Sequence, residues 1–246
     1  GFTFRQARGI LDYLRDLGIS DVYASPLFQA GPESTHGYDT CSFGKINANI
    51  GSTEDFDRFT GESKERGLGL LLDLVPNHMS ATLSNPWWFD VLEKGRESRY
   101  AHFFDVDWNA ENPALRGKVL LPVLEDDYAK VLEAGKLRLV FENGKPFIAY
   151  YERKFPVNLQ SIAACGINNS EPVLADLNGA AGNARSIEKL DALIQRQHYR
   201  LAYWRDAAKE ISYRRFFDVT EMVALKMELP EVFRETHELV FEWLAK

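Results

Sequence analysis

The chain has 246 residues, with 36 acidic against 29 basic side chains for a formal charge of −7, and 45% of its residues are hydrophobic, an ordinary globular composition. A net acidic chain argues against a general phosphate-backbone binder, because that affinity comes from clustered Lys and Arg releasing counterions. Cys41 and Cys165 are too few for a disulfide scaffold and suit a reducing, cytoplasmic compartment, and no apolar run approaches the roughly 20 residues of a membrane span.

From Phe4 to Leu17 the residues Ile10, Leu11, Leu14 and Leu17 recur at helical spacing, and Gly18 follows; the pattern predicts one helix ending at Leu17. Asp21 to Leu27, closed by Pro26, reads as a buried strand feeding a loop. Ser52 and Asp55 form a capping-box variant ahead of Phe56 and Phe59, and Gly67 stops that second helix. The run GLGLLLDLVPNH, residues 67–78, is apolar on both faces, as in a parallel strand covered by helices. Helix, strand, loop, helix, strand is the rhythm of an α/β barrel or a doubly wound sheet, whose strand carboxyl ends carry the chemistry.

After His78 the rhythm breaks. Asn143 and Gly144 sit between two runs rich in Val, Phe, Ile and Tyr, which predicts a hairpin in an inserted subdomain. Ile187, Leu190, Ile194, Leu201, Trp204 and Ala208 predict one long amphipathic helix from Ser186 to about Glu210, and Pro230 opens another through Trp243. The expected division is 1–78, 79–185 and 186–246.

Two motifs could carry chemistry. In STHGYD, residues 34–39, Gly37 permits a tight turn that aims Tyr38 and Asp39 above the sheet. A tyrosine face can stack on a sugar and a carboxylate can accept from its hydroxyls, although a plain turn with a buried tyrosine fits the same residues. In DLVPNH, residues 73–78, an acid, an amide and an imidazole meet at a strand end. Asp73 needs a hydrogen-bond or Arg partner there, since an unpaired buried carboxylate is costly. His78 lacks a second His or Cys at ligand spacing, so no metal is expected.

GYD followed 34 positions later by a strand-end DxxxNH resembles the first conserved regions of the α-amylase superfamily, glycoside hydrolase family 13. The stretches GSTHGYD, LDLVPNHM, NPWWFDVLEKG, FFDVDW, KVLLPVL, QHYRLAYWR and YRRFFDVT resemble the maltooligosyl trehalose synthases of that superfamily along nearly the whole chain. The resemblance implies a partial (β/α)8 TIM barrel, its second and third strands with their helices, plus an α+β subdomain inserted after the third strand. It implies an isomerase that turns the reducing-end α-1,4 linkage of a maltooligosaccharide into α-1,1, in trehalose biosynthesis. Tyr38 would stack where the bond is broken, His78 would donate to that sugar, and Asp73 and Asn77 would buttress the loop. His36 and Asp39 would be further substrate contacts. Trp87 and Trp88 would be sugar platforms, or core, and Arg215, with Arg214, would line the cleft, or form an ion-paired face.

Retaining glycosyl transfer needs two carboxyl groups about 5 Å apart. In the family they lie on later strands, expected beyond Lys246, so no catalytic residue is assigned here. The chain, starting at Gly1 in mid-pattern, reads as a piece of a longer protein and is expected to be inactive alone. Calcium occurs in relatives, where the equivalent of Asn77 can be a ligand, but nothing else here supplies the six to eight oxygens of such a site. No metal or organic cofactor is expected, and no nucleic-acid or membrane partner. Unpaired sheet edges predict self-association. The alternatives are a non-catalytic α-glucan-binding module and an α-glucan hydrolase fragment.

Overall fold

In the computed structural model, which describes residues 2–179, 181–206 and 210–245, Thr3 opens the chain with a capping box. Its hydroxyl accepts from Gln6 N at 3.3 Å while Gln6 Oε1 accepts from Thr3 N at 2.9 Å. The expected single helix is two: α1, Phe4–Arg8, and α2, Leu11–Asp16. The break falls at Gly9–Ile10, where glycine next to a β-branched residue makes continuation least favourable. Strand β1, Asp21–Ala24, is followed by β2, Phe28–Ala30, and β3, Thr40–Ile46, which pair antiparallel. Helix α3, Thr53–Glu65, carries both halves of the Ser52/Asp55 capping box. It returns the chain to β4, Gly69–Leu72, parallel to β1 with Tyr23 opposite Leu71.

The run from Leu68 is therefore shorter as a strand than its hydrophobicity suggests. It ends at Leu72, Pro76 interrupts it, and His78–Ser80 forms a separate strand, β5. Nor is the β1·β4 pair covered on both faces: Val22, Leu70, Ala24 and Leu72 pack on the core, whereas Tyr23 and Leu71 are exposed. The sheets of the described residues have two or three strands, and no closed barrel is seen.

The contacts divide the chain into two units, one made of the described residues up to Asn85 together with those from Glu221 onward, the other of Pro86–Thr220. The first unit has a core of Phe4, Leu11, Leu27, Phe56, Phe59 and Leu68. Trp243 of the last helix, Pro230–Leu244, joins it, 4.8 Å from Phe56 and 5.6 Å from Phe28 between ring centroids.

In the second unit α4, Pro86–Lys94, is followed by β6, Val119–Leu124, α5, Tyr128–Glu133, and a three-stranded antiparallel sheet. Its strands are β7, Leu137–Glu142, β8, Lys145–Tyr150, and β9, Arg153–Pro156. The hairpin read at Asn143–Gly144 joins β7 to β8, with both turn residues at positive φ, 49° and 77°. Short helices α6, Leu159–Ala164, and α7, Glu171–Leu177, lead to α8, Ala184–Ile194.

The long helix expected from Ser186 to Glu210 is overturned here. Helix α8 stops at Ile194 and β10, Tyr199–Tyr203, follows, parallel to β6. Tyr199 and Leu201 are buried with Arg200 less so: the alternation is a strand's period of two, which a single helical pattern drawn across it had absorbed. Ala208 lies outside the described residues. The sequence segment 186–246 is shared between the two units, and 79–85 group with the first.

Candidate functional site

In the first unit the two motifs meet. The loop between β2 and β3 carries STHGYD, and its turn depends on Gly37. That residue has φ +82°, and a Cβ there would lie 3.1 Å from the Pro26 carbonyl oxygen. The Ser34 hydroxyl accepts from Gly37 N at 3.0 Å and donates to Asp39 Oδ1. His36 Nδ1 accepts from Tyr38 N at 3.0 Å, and its ring stacks on that of Tyr38 with centroids 5.9 Å apart.

Asp73, one residue past β4, is the focus. Its Oδ2 accepts from Tyr38 OH at 2.6 Å and from Tyr23 OH at 2.7 Å. The partner this carboxylate needs is a pair of phenols rather than an arginine. Two phenols share this oxygen and stay protonated: the bond to Asp73, then burial, raises the phenol pKa of both tyrosines. Tyr38 thus has a fixed hydroxyl and remains 38% exposed.

His78 begins β5, is fully buried at 0% exposure, and has both ring nitrogens engaged. Nε2 lies 2.9 Å from the Tyr38 carbonyl oxygen and Nδ1 lies 2.8 Å from Asn77 Oδ1. Burial lowers the His78 pKa, against the opposing pull of the Tyr38 carbonyl and Asp39, so the ring is neutral. A carbonyl can only accept, so the Nε2 contact is a donation from the ring to the Tyr38 backbone. In this arrangement the His78 ring braces the Tyr38 backbone through Nε2.

The remaining candidates lie in the second unit. Trp88 is 0% exposed, edge-on to Phe104 and Tyr213 at 5.0 and 5.5 Å. A buried indole offers no face to a ligand, so the platform reading of Trp88 gives way to a core role. Trp87 is half-buried and stacks on Tyr100 at 5.0 Å, which covers one of its faces. Arg215 turns to Asp218 at 3.0 Å, Arg214 pairs with Asp105 at 3.1 Å, and Phe217, between Arg215 and Asp218 in the chain, is exposed.

Tyr23 is the site residue the sequence reading passed over, because it looks like one more strand aromatic. Its alternation with Val22 and Ala24 on β1, opposite a strand that ends in an acid, is the signal that could have found it. No group of three or more His, Cys, Asp or Glu among the described residues is arranged to hold a metal ion, and no helix of the described residues is long and apolar enough to cross a membrane.

The sequence profile of the alpha-amylase catalytic domain matches residues 8–130, half of the chain. A provisionally named maltooligosyl trehalose synthase of Mycobacterium tuberculosis is 33% identical over 250 residues, an alignment covering 100% of this chain and 28% of that protein. The solved maltooligosyltrehalose synthase from Arthrobacter ramosus is similar at 33% identity and a TM-score of 0.79, over 99% of this chain and 28% of the other. An intracellular maltogenic amylase of Bacillus subtilis is 38% identical over 96 residues, 39% of this chain and 16% of the amylase. The chain thus spans less than a third of the length of these relatives. A strand-end carboxylate gripping two tyrosines and a profile match over half the sequence give one conclusion: the chain belongs to the alpha-amylase family.

Proposed function

We propose that this chain is part of a maltooligosyl trehalose synthase, which converts the reducing-end α-1,4 linkage of a maltooligosaccharide to α-1,1 by intramolecular transglucosylation. The observation that carries this reading is the extent of similarity. Likeness to the synthases runs through both units, whereas likeness to the maltogenic amylase covers 39% of the chain. On this reading β1 and β4 with α3 are the second and third strands of a (β/α)8 barrel, and the second unit is the subdomain that follows the third strand.

The chain's own residues would bind and orient. Tyr38 would present its ring to the sugar at the broken linkage, its hydroxyl held by Asp73 and its backbone by His78. Asp39 would accept from sugar hydroxyls through Oδ2, since Ser34 occupies Oδ1. His36 would brace Tyr38 and Asn77 would brace His78; Trp87 and Arg215, in the second unit, would be glucan contacts of that unit. Asp39 and Asp73 belong to different loops and would play supporting roles, and the family resemblance implies that the two catalytic carboxyls would come from later strands. Retaining the released glucose until its anomeric hydroxyl attacks is what separates isomerisation from hydrolysis.

The test is a chimera in which this chain replaces the segment it matches in the Arthrobacter ramosus synthase. With maltohexaose, reducing ends should disappear without a matching release of glucose. A folded chimera that releases glucose in step with substrate loss would make the chain a hydrolase segment instead.

A further inference from the structure

The three-stranded sheet of the second unit contains two tight hairpins, and they are built differently. The β7–β8 turn uses Asn143 and Gly144, residues suited to the left-handed region. The β8–β9 turn uses Tyr151 and Glu152, and Tyr151 has φ +51°. A bulky aromatic in the left-handed region is disfavoured by its own Cβ, so something other than turn chemistry accounts for a tyrosine there. The aromatic gains nothing from burial, since Tyr151 is 61% exposed.

Its ring is nonetheless fixed. The hydroxyl donates to Glu125 Oε1 at 3.0 Å, Lys136 Nζ donates to the same carboxylate, and that ammonium lies 5.9 Å from the ring centroid. Tyr150 packs beside it with centroids 4.7 Å apart, and the Tyr150 hydroxyl accepts from Glu125 N at 3.1 Å. Lys136 first, then Tyr151, holds the Glu125 carboxyl below its ordinary range, so the charge is present at neutral pH. An exposed ring locked at its hydroxyl end by a carboxylate, with the Lys136 ammonium over it at 5.9 Å from the centroid, matches the chemistry that recognises a pyranose. The apolar face of the sugar stacks on the ring while its hydroxyls donate to the acid and accept from the amine.

We propose that Tyr151, Glu125 and Lys136 form an accessory sugar-binding platform on the second unit, separate from the Tyr38 site, that holds a glucose residue of an α-glucan chain. The choice of glucan rests on the function proposed above; the pyranose chemistry does not. The strained turn is then the means of display.

Maltohexaose titrated into the chain with labelled tyrosine rings reads both sites at once by NMR. The Tyr151 signals should shift and saturate in the millimolar range, as expected for a single exposed platform, and should do so equally in Tyr38→Ala. Tyr151→Trp should keep binding at this site. Tyr151→Gly should weaken it by more than about tenfold while raising the unfolding midpoint, because glycine relieves the left-handed residue. Still Tyr151 signals alongside moving Tyr38 signals would overturn the platform and leave the proposed function standing. Moving Tyr151 signals with Tyr38 unmoved would do the reverse. A lower midpoint for Tyr151→Gly would mean that the ring serves as a structural pin, and would also overturn the proposal.

Discussion

The two units use their aromatic side chains in opposite ways. In the second unit Trp88 lies against Phe104 and Tyr213 with no exposed surface, and its contribution is apolar area removed from water. In the first unit Tyr23 and Tyr38 stay exposed and are held by their hydroxyls, both on one carboxylate oxygen of Asp73. One arrangement stabilises a fold and the other leaves ring surface exposed. Residue type does not separate the two; the polar partner does. A tyrosine tied at its hydroxyl keeps its faces available, whereas an indole enclosed by other rings has none to offer.

The contrast is broken or sharpened by substitution. Trp88→Ala should cost about 3–5 kcal/mol in urea unfolding, the range for emptying a large buried aromatic site, and should leave the sugar affinity of the molecules that stay folded unchanged. Tyr38→Ala should do the opposite. Its unfolding midpoint should move little, while maltohexaose affinity should drop about tenfold, or ~1.4 kcal/mol. If Tyr38→Ala proved the more destabilising of the two, the division of labour would be wrong.

Acid should weaken both units through one histidine each. Burial lowers the pKa of His78 in the first unit and of His198, 3.0 Å from Asn158 Nδ2, in the second. Each ring is neutral when folded, so the unfolded chain binds more protons below the ordinary imidazole pKa of about 6.5. Their contribution is complete above that value and is lost as pH falls through the lower folded values, ahead of the carboxylates. Unfolding curves at a series of pH values should show this decline, and a combined replacement of His78 and His198 should flatten it.

The exposed apolar side chains Tyr13, Leu17 and Leu71 of the first unit, with a β1·β4 sheet of two strands among the described residues, should drive concentration-dependent self-association. Light scattering that gives a monomer mass at every concentration would remove that expectation. The smallest effect concerns the thiols. Cys165 is exposed, whereas burial pushes the Cys41 thiol up to about 11, so a thiol reagent at neutral pH should titrate one group per native chain and two after denaturation.

Much of this was legible in the sequence, unevenly. Asn143–Gly144 announced its hairpin and Ser52/Asp55 its helix start, because turn and cap chemistry act within a few residues. GYD and DLVPNH marked where polar groups gather, since an acid after an apolar strand must find partners. What could not be read was which partners. Tyr23 and Asp73 are 50 positions apart, and only the parallel register of β1 with β4 brings them together. The same applies to His78, whose ring reaches a carbonyl 40 positions away and so braces the Tyr38 backbone. The strand Tyr199–Tyr203 was missed for another reason: its pairing with β6 decided a short segment whose apolar residues also fitted a helical repeat.

On the proposed function, Tyr38 anchored by Asp73 is the sugar platform of the first unit. The most direct measurement is a calorimetric titration of maltohexaose into the purified chain beside its Asp73→Asn variant, with the Tyr151 contribution removed from both by Tyr151→Gly. The account predicts saturable binding that weakens several-fold in Asp73→Asn, as two phenols lose their charged acceptor, with the sugar recovered unchanged. Binding of equal strength in the two proteins would contradict it, because the ring would then need no anchor.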